Sequence, residues 1–210
     1  MEELDLRAGV AHLRAVDPVM EGVIELCGEV PMRDRGLNPF QSLARAIIYQ
    51  QISGAAAGSI YGKFLGLFGL EGEAFPEPVQ VAALEEEQLR LGGLSRQKAA
   101  SIRDLALHFA SGELGTEQFE HWTDEEIITH LVRVRGVGRW TAEMFLMFHL
   151  RRPDVLPVND VGINRAIMRR YGLAAMPKAD EVLRIGTPWR PHATTACLYL
   201  WASEAVKPPG

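Results

Sequence analysis

The chain has 210 residues, a formal charge of −5, 47% hydrophobic and 23% charged residues, the composition of a soluble globular protein with one sizeable core or two smaller lobes. The balance of 27 acids against 22 basic side chains argues against a general polyanion binder, though not against a local basic face. No stretch reaches the roughly 18 apolar residues of a membrane span, residues 1–20 lack the apolar run of a signal peptide, and Cys27 and Cys197 are too few and too distant for a metal cluster, so a reducing cytoplasm is expected.

In chain order, residues 1–30 read as two short helices parted at Asp17-Pro18, where proline suits a first turn and Asp17 can cap it. Pro31 to Gly36 is a charged connector. Asn38-Pro39-Phe40 opens a helix whose Phe40, Leu43, Ile47 and Ile48 recur at helical spacing down to Gln50-Gln51-Ile52-Ser53. Ala55 to Phe68 reads as a helix ended by Gly69, residues 71–80 as a surface loop, and Leu84 to Leu91 as a short acidic helix broken by Gly92-Gly93. Ser95 caps the next helix, with Ala99, Ile102, Ala106 and Phe109 as its buried stripe. Thr123 to Glu126 matches a capping box. A helix from Trp140 to Leu150 follows, then an extended connector over 154–158. A helix begins at Asn159 or Asp160 and stops at Tyr171-Gly172, and Pro177 and Pro191 open two more. About ten helices and no convincing strand predict an all-α fold.

Residues 131–172 stand apart. They hold eight arginines against three acids, a local charge of +5 in an acidic protein. Within them Arg135-Gly136-Val137-Gly138-Arg139-Trp140-Thr141-Ala142 joins two helical runs. Glycines in such a turn let bare backbone N–H groups approach an anion, and Arg135, Arg139 and Thr141 can add side-chain donors to a phosphate. On the glycines alone an ordinary helix–helix turn is the better explanation; the flanking arginines and Thr141 are what favour a phosphate. Asp160 likewise has a plain explanation, since an acid in a first turn faces the positive end of the helix dipole.

Val134 to Ala142 resembles the hairpin of the helix-hairpin-helix DNA glycosylase superfamily, and Pro157-Val158-Asn159-Asp160 resembles the segment bearing its catalytic aspartate. Ala46-Ile47-Ile48-Tyr49-Gln50-Gln51-Ile52-Ser53, Gly93-Leu94-Ser95-Arg96-Gln97-Lys98-Ala99, and Trp189-Arg190-Pro191-His192 with Leu198-Tyr199-Leu200-Trp201 narrow the resemblance to the 3-methyladenine DNA glycosylase II (AlkA-like) branch. The five stretches span nearly the whole chain. The β-rich N-terminal domain of the larger relatives has no counterpart in residues 1–35. The resemblance implies one glycosylase domain over 1–210 with two helical lobes and the active-site cleft between them. One lobe would cover about 40–150 with the hairpin at 134–142, the other about 1–35 with 153–206.

The implied reaction flips an alkylated base out of double-stranded DNA and hydrolyses its N-glycosidic bond, leaving an abasic site for base excision repair. Asp160 is the implied catalytic group: an ionised carboxylate stabilises the oxocarbenium-like sugar, and a cationic alkylated purine leaves well. Trp140, Trp201, Gln50, Tyr49 and Met144 are expected at the base, the aromatics because an electron-poor ring gains from a π-face. Gly136, Gly138, Arg139, Thr141 and Arg135 are expected on the backbone, with Gln51 in the gap left by the flipped nucleotide. Trp140 stands where strand-cutting branches such as endonuclease III carry a Schiff-base lysine, and two cysteines cannot build those branches' iron–sulfur cluster; both imply a monofunctional enzyme. No cofactor is expected beyond a monovalent cation on the carbonyls of Val132, Val134 and Val137, and the protein is expected to be a monomer. Three departures stand out: Arg135 replaces a usual proline, Asn159 replaces an acid, and Met144 replaces a pocket tyrosine. A non-catalytic hairpin module binding damaged DNA, or a mismatch or oxidised-base glycosylase, are the alternatives.

Overall fold

A computed structural model describes residues 4–32 and 36–206. These residues form twelve α-helices, with a 3-10 turn before the last: α1 (Leu6–Val16), α2 (Pro18–Cys27), α3 (Pro39–Tyr49), α4 (Gly54–Gly66), α5 (Pro78–Ala82), α6 (Glu86–Leu91), α7 (Arg96–Ala110), α8 (Asp124–Leu131), α9 (Arg139–Phe148), α10 (Val161–Arg170), α11 (Ala179–Gly186) and α12 (Ala193–Ala205). Among the described residues there is no strand, and the all-α expectation holds. No helix among them is long and apolar enough to cross a membrane.

The helix starts follow from local chemistry. Asn38 accepts from the Gln41 N–H at 2.8 Å, and Ser95 from that of Lys98 at 3.3 Å. Thr123 and Glu126 cap each other, Glu126 N–H to Thr123 Oγ1 at 3.3 Å and Thr123 N–H to Glu126 Oε2 at 2.7 Å, satisfying two orphan donors at once. One expectation fails: the loop assigned to 71–80 ends early, because Pro78 opens α5. The Gln80 side chain accepts from the Glu77 N–H at 2.8 Å, and a glutamine in that role is easily missed beside two prolines.

The chain divides into two compact units, Met1–Asp34 with Leu146–Gly210 and Arg35–Phe145, called here the terminal and central units. In the terminal unit α12 is the centre. Residues 193–200 are all buried, and α10, α2 and α1 pack around them, as a helix without a polar face requires. In the central unit α7 takes that part, with α5, α3 and α6 against it. Phe40 of α3 meets Phe109 of α7 at 5.3 Å between ring centroids.

Asp17 ties the terminal unit together. It caps α2 through the N–H groups of Val19 and Met20 and accepts from the Tyr171 hydroxyl at 2.6 Å and the Trp189 indole at 2.8 Å. Burial, then the neighbouring Asp17 carboxylate, push the Tyr171 hydroxyl well above the usual phenol range, so it remains a donor. Truncating a buried carboxylate orphans all four donors. Asp17→Ala is therefore expected to lose roughly 3–4 kcal/mol, lowering Tm by about 10 °C in a thermal melt.

Candidate functional site

In the terminal unit, Asp160 is the N-cap of α10 and only 7% exposed. Its Oδ1 accepts from the Ile163 N–H at 2.7 Å and from Trp201 Nε1 at 2.9 Å. The helix start and one tryptophan thus fix the carboxylate in orientation. Trp201 stacks on Phe148, ring centroids 5.9 Å apart and planes within 27°. Phe148 is itself 47% exposed, so the two rings make an aromatic ledge joined to the carboxylate through the indole N–H. Besides the base contact expected of it, Trp201 thus holds the acid.

Gly162 makes that contact sterically feasible. A Cβ there would lie 3.0 Å from Trp201 Cδ1 and 3.1 Å from both Trp201 Nε1 and Asp160 Oδ1. No role for this glycine is read from the sequence. The available signal is a glycine in the first turn of a helix, where it costs about 0.5–1 kcal/mol against alanine.

In the central unit the hairpin joins α8 to α9. Val137 N–H donates to the Val134 carbonyl at 3.0 Å, closing the turn. The Asp104 carboxylate accepts from the Arg135 N–H at 2.7 Å. Gly136 has φ 79°, and a Cβ on it would stand 2.2 Å from Ser101 Oγ, so both backbone sign and packing against α7 demand glycine. Gly138 differs: apart from its two chain neighbours, nothing among the described residues lies within 4 Å of the place its Cβ would take. The fold leaves that spot open to an approaching group.

Three of the residues expected to contact DNA or base have partners within the protein. Thr141, expected to face a phosphate, is buried at 3% exposure and its hydroxyl accepts from Gln50 Nε2 at 3.1 Å. Gln50, expected at the base, donates both there and to the Gly136 carbonyl at 3.2 Å; it ties the end of α3 to the hairpin. Arg139, expected on a phosphate, pairs with both carboxylate oxygens of Glu125 and with the buried Glu143 at 3.0 Å. Hydrogen bonding to Arg139 holds the Glu125 carboxyl below the usual carboxylate range. That contribution is present above the usual range and fades as pH falls through the lowered value, and it is small for an exposed pair.

The arginine surplus is likewise partly neutralised within the protein. Arg165 and Arg169 meet Glu204 at 3.9 and 3.1 Å, Arg170 donates to the Ser203 carbonyl at 2.6 Å, and Arg152 is buried. Arg135 stays exposed on the hairpin. Trp140, at the start of α9, is 45% exposed, and Met144 one turn on is half-buried. Tyr49 has the Arg45 guanidinium 4.1 Å from its ring centroid and Tyr61 edge-on at 6.4 Å, so one of its faces is occupied. Gln51 is exposed in the turn after α3, with φ 58°. Among the described residues no group of His, Cys, Asp and Glu could hold a metal ion, and both cysteines are free thiols.

The glycine hairpin between α8 and α9 is followed, about twenty residues on, by the buried aspartate that caps α10. Residues 44–191 match the HhH-GPD superfamily of base excision DNA repair proteins, and the chain belongs to that superfamily. It is similar to DNA-3-methyladenine glycosylase 1 of Schizosaccharomyces pombe, 33% identical over 198 residues that cover 93% of this chain and 86% of the relative. It is also similar to the putative DNA-3-methyladenine glycosylase YfjP of Bacillus subtilis, 33% identical over 78% of this chain; the chain spans 58% of that relative's length. The solved structure of the Schizosaccharomyces pombe 3-methyladenine DNA glycosylase (Mag1) in complex with abasic DNA superposes with a TM-score of 0.82 at 30% identity, covering 92% of this chain and 95% of that one.

Proposed function

We propose that this protein is a monofunctional DNA glycosylase, acting as a monomer, that extrudes alkylated bases of the 3-methyladenine type from duplex DNA and hydrolyses the N-glycosidic bond. The observation that carries the reading is Asp160: a buried carboxylate held by Trp201 Nε1 and the first turn of α10, in a chain similar to proteins named for this activity. The hairpin would take the phosphate backbone through the Gly138 end of the turn and the exposed Arg135, with Gln51 entering the gap. Within the terminal unit the stacked Trp201 and Phe148 would offer a π-face to a cationic base, a contact contributing roughly 0.5–2 kcal/mol, and the exposed Trp140 is the further aromatic that the family resemblance assigns to the base.

As the base departs, positive charge grows on the sugar, and the fixed Asp160 carboxylate stabilises it without having to reorient. Water then adds to the sugar and loses its proton, so base and abasic site are the products. Trp140 has no amine to attack the sugar, so no Schiff base forms. The carbonyls of Val132, Val134 and Val137 are the groups that would hold a monovalent cation, the Val134 oxygen with the lone pair left beside the bond it accepts from the Val137 N–H; such an ion would stiffen the turn and take no part in bond breaking.

Base release from duplexes carrying 3-methyladenine, 7-methylguanine, hypoxanthine or ethenoadenine, followed by chromatography, tests the function. Release of the cationic methylated purines ahead of the neutral lesions is expected. Salt-sensitive DNA binding with no released base would instead make the protein a hairpin binding module.

A further inference from the structure

We propose that Lys98 and Gln50 are positioning residues, holding Gln51 rigidly at the turn between α3 and α4 and in fixed register with the hairpin. The inference rests on the reading of Gln51 as the side chain that fills the gap in the duplex.

The last carbonyls of a helix have no partners within it. At the end of α3 those of Ile48 and Gln50 are taken by one ammonium group, Lys98 Nζ, at 2.7 and 2.8 Å. Lysine heads ordinarily stay in water. This one is partly withdrawn from it, and burial lowers its pKa. Bonds from a charged donor are short and about twice as strong as neutral ones, so the Gln50 carbonyl is firmly held. The Gln50 side chain is held at its other end, donating to the Gly136 carbonyl and Thr141 Oγ1. Backbone and side chain of one residue thus link α7, the end of α3 and the hairpin, all inside the central unit.

The next residue is Gln51, at φ 58°. A left-handed backbone costs a non-glycine residue about 1–2 kcal/mol, and such conformations persist where the surroundings over-determine them. Glycine would remove that cost while leaving the Lys98 and Gln50 contacts in place. What it would not supply is a long amide projecting from a rigid base into solvent. The clamp therefore serves the exposed side chain. Entering a base stack with an already fixed side chain avoids ordering it at the moment of flipping.

The test uses a duplex with a tetrahydrofuran abasic analogue opposite 2-aminopurine, whose fluorescence reports a side chain entering the gap, together with single-turnover base release from methylated duplex. Wild type is expected to bind and change the fluorescence, and Gln51→Ala to bind without the change. Lys98→Met is expected to behave as Gln51→Ala and to release base about 10- to 100-fold more slowly, while Lys98→Arg recovers most of both signals. Should Lys98→Met melt below the assay temperature, Gln50→Ala makes the same prediction with the Lys98 clamp intact. A full fluorescence change in the stable Lys98 or Gln50 variant overturns the proposal, and so does a full fluorescence change in Gln51→Ala. Failure of wild type to release any base would instead overturn the proposed activity.

Discussion

Asp160→Asn is expected to fold as wild type, bind abasic duplex with similar affinity and lose at least about 10²–10³-fold in the rate of base release. The amide is nearly isosteric, its oxygen can accept from Ile163 N–H and Trp201 Nε1 as Asp160 Oδ1 does, and asparagine caps a helix as well as aspartate does. Cap and indole contact are therefore kept while the charge is lost. A thermal melt separates the two roles: unchanged Tm with abolished release assigns the charge to chemistry. A variant that released base at the wild-type rate would remove Asp160 from the mechanism.

Gly136→Ala is expected to do the reverse, damaging the fold of the hairpin and through it DNA binding. The new Cβ would stand 2.2 Å from Ser101 Oγ and 2.9 Å from Ser101 Cβ, and Ser101 has little freedom to yield, being buried with its hydroxyl donating to the Gln97 carbonyl at 2.9 Å. Overpacking and the left-handed backbone together cost about 3 kcal/mol. The turn can relax only by shifting the Gly136 carbonyl, which Gln50 holds. A Tm lower by about 6–12 °C with DNA affinity weakened tenfold or more is the expected result, read by melting and by fluorescence anisotropy. Gly138→Ala meets no atom of the described residues apart from its two chain neighbours; it is expected to melt normally and to weaken DNA binding alone.

What the sequence made legible was what adjacent residues decide. The caps at Asn38, Ser95 and Thr123, the glycine turn at 136–138 and the aspartate opening α10 are written within four or five neighbouring positions, where backbone donors and short polar side chains settle the outcome. Contacts between distant segments were not legible. Gln50 and Thr141 are 91 positions apart, and nothing in either neighbourhood shows that the amide turns inward to the hairpin. The pairing of Arg139 with Glu125, 14 residues away across the turn, is not visible in the residues around Arg139. Gly162 went unnoticed because its reason is the Trp201 indole, 39 positions on, which its missing Cβ admits to Asp160. Lys98 acts on the end of α3 from 50 and 48 positions away, and nothing in its own neighbourhood shows that its ammonium reaches those carbonyls.

The most direct test of base excision by hydrolysis uses end-labelled methylated duplex incubated with the protein, half of each sample then treated with alkali, with the free bases counted alongside. The expected result is 3-methyladenine in solution, an intact strand without alkali, and alkali-dependent breaks equal in number to the bases released. Breaks appearing without alkali, or methylated DNA left unchanged, would contradict it.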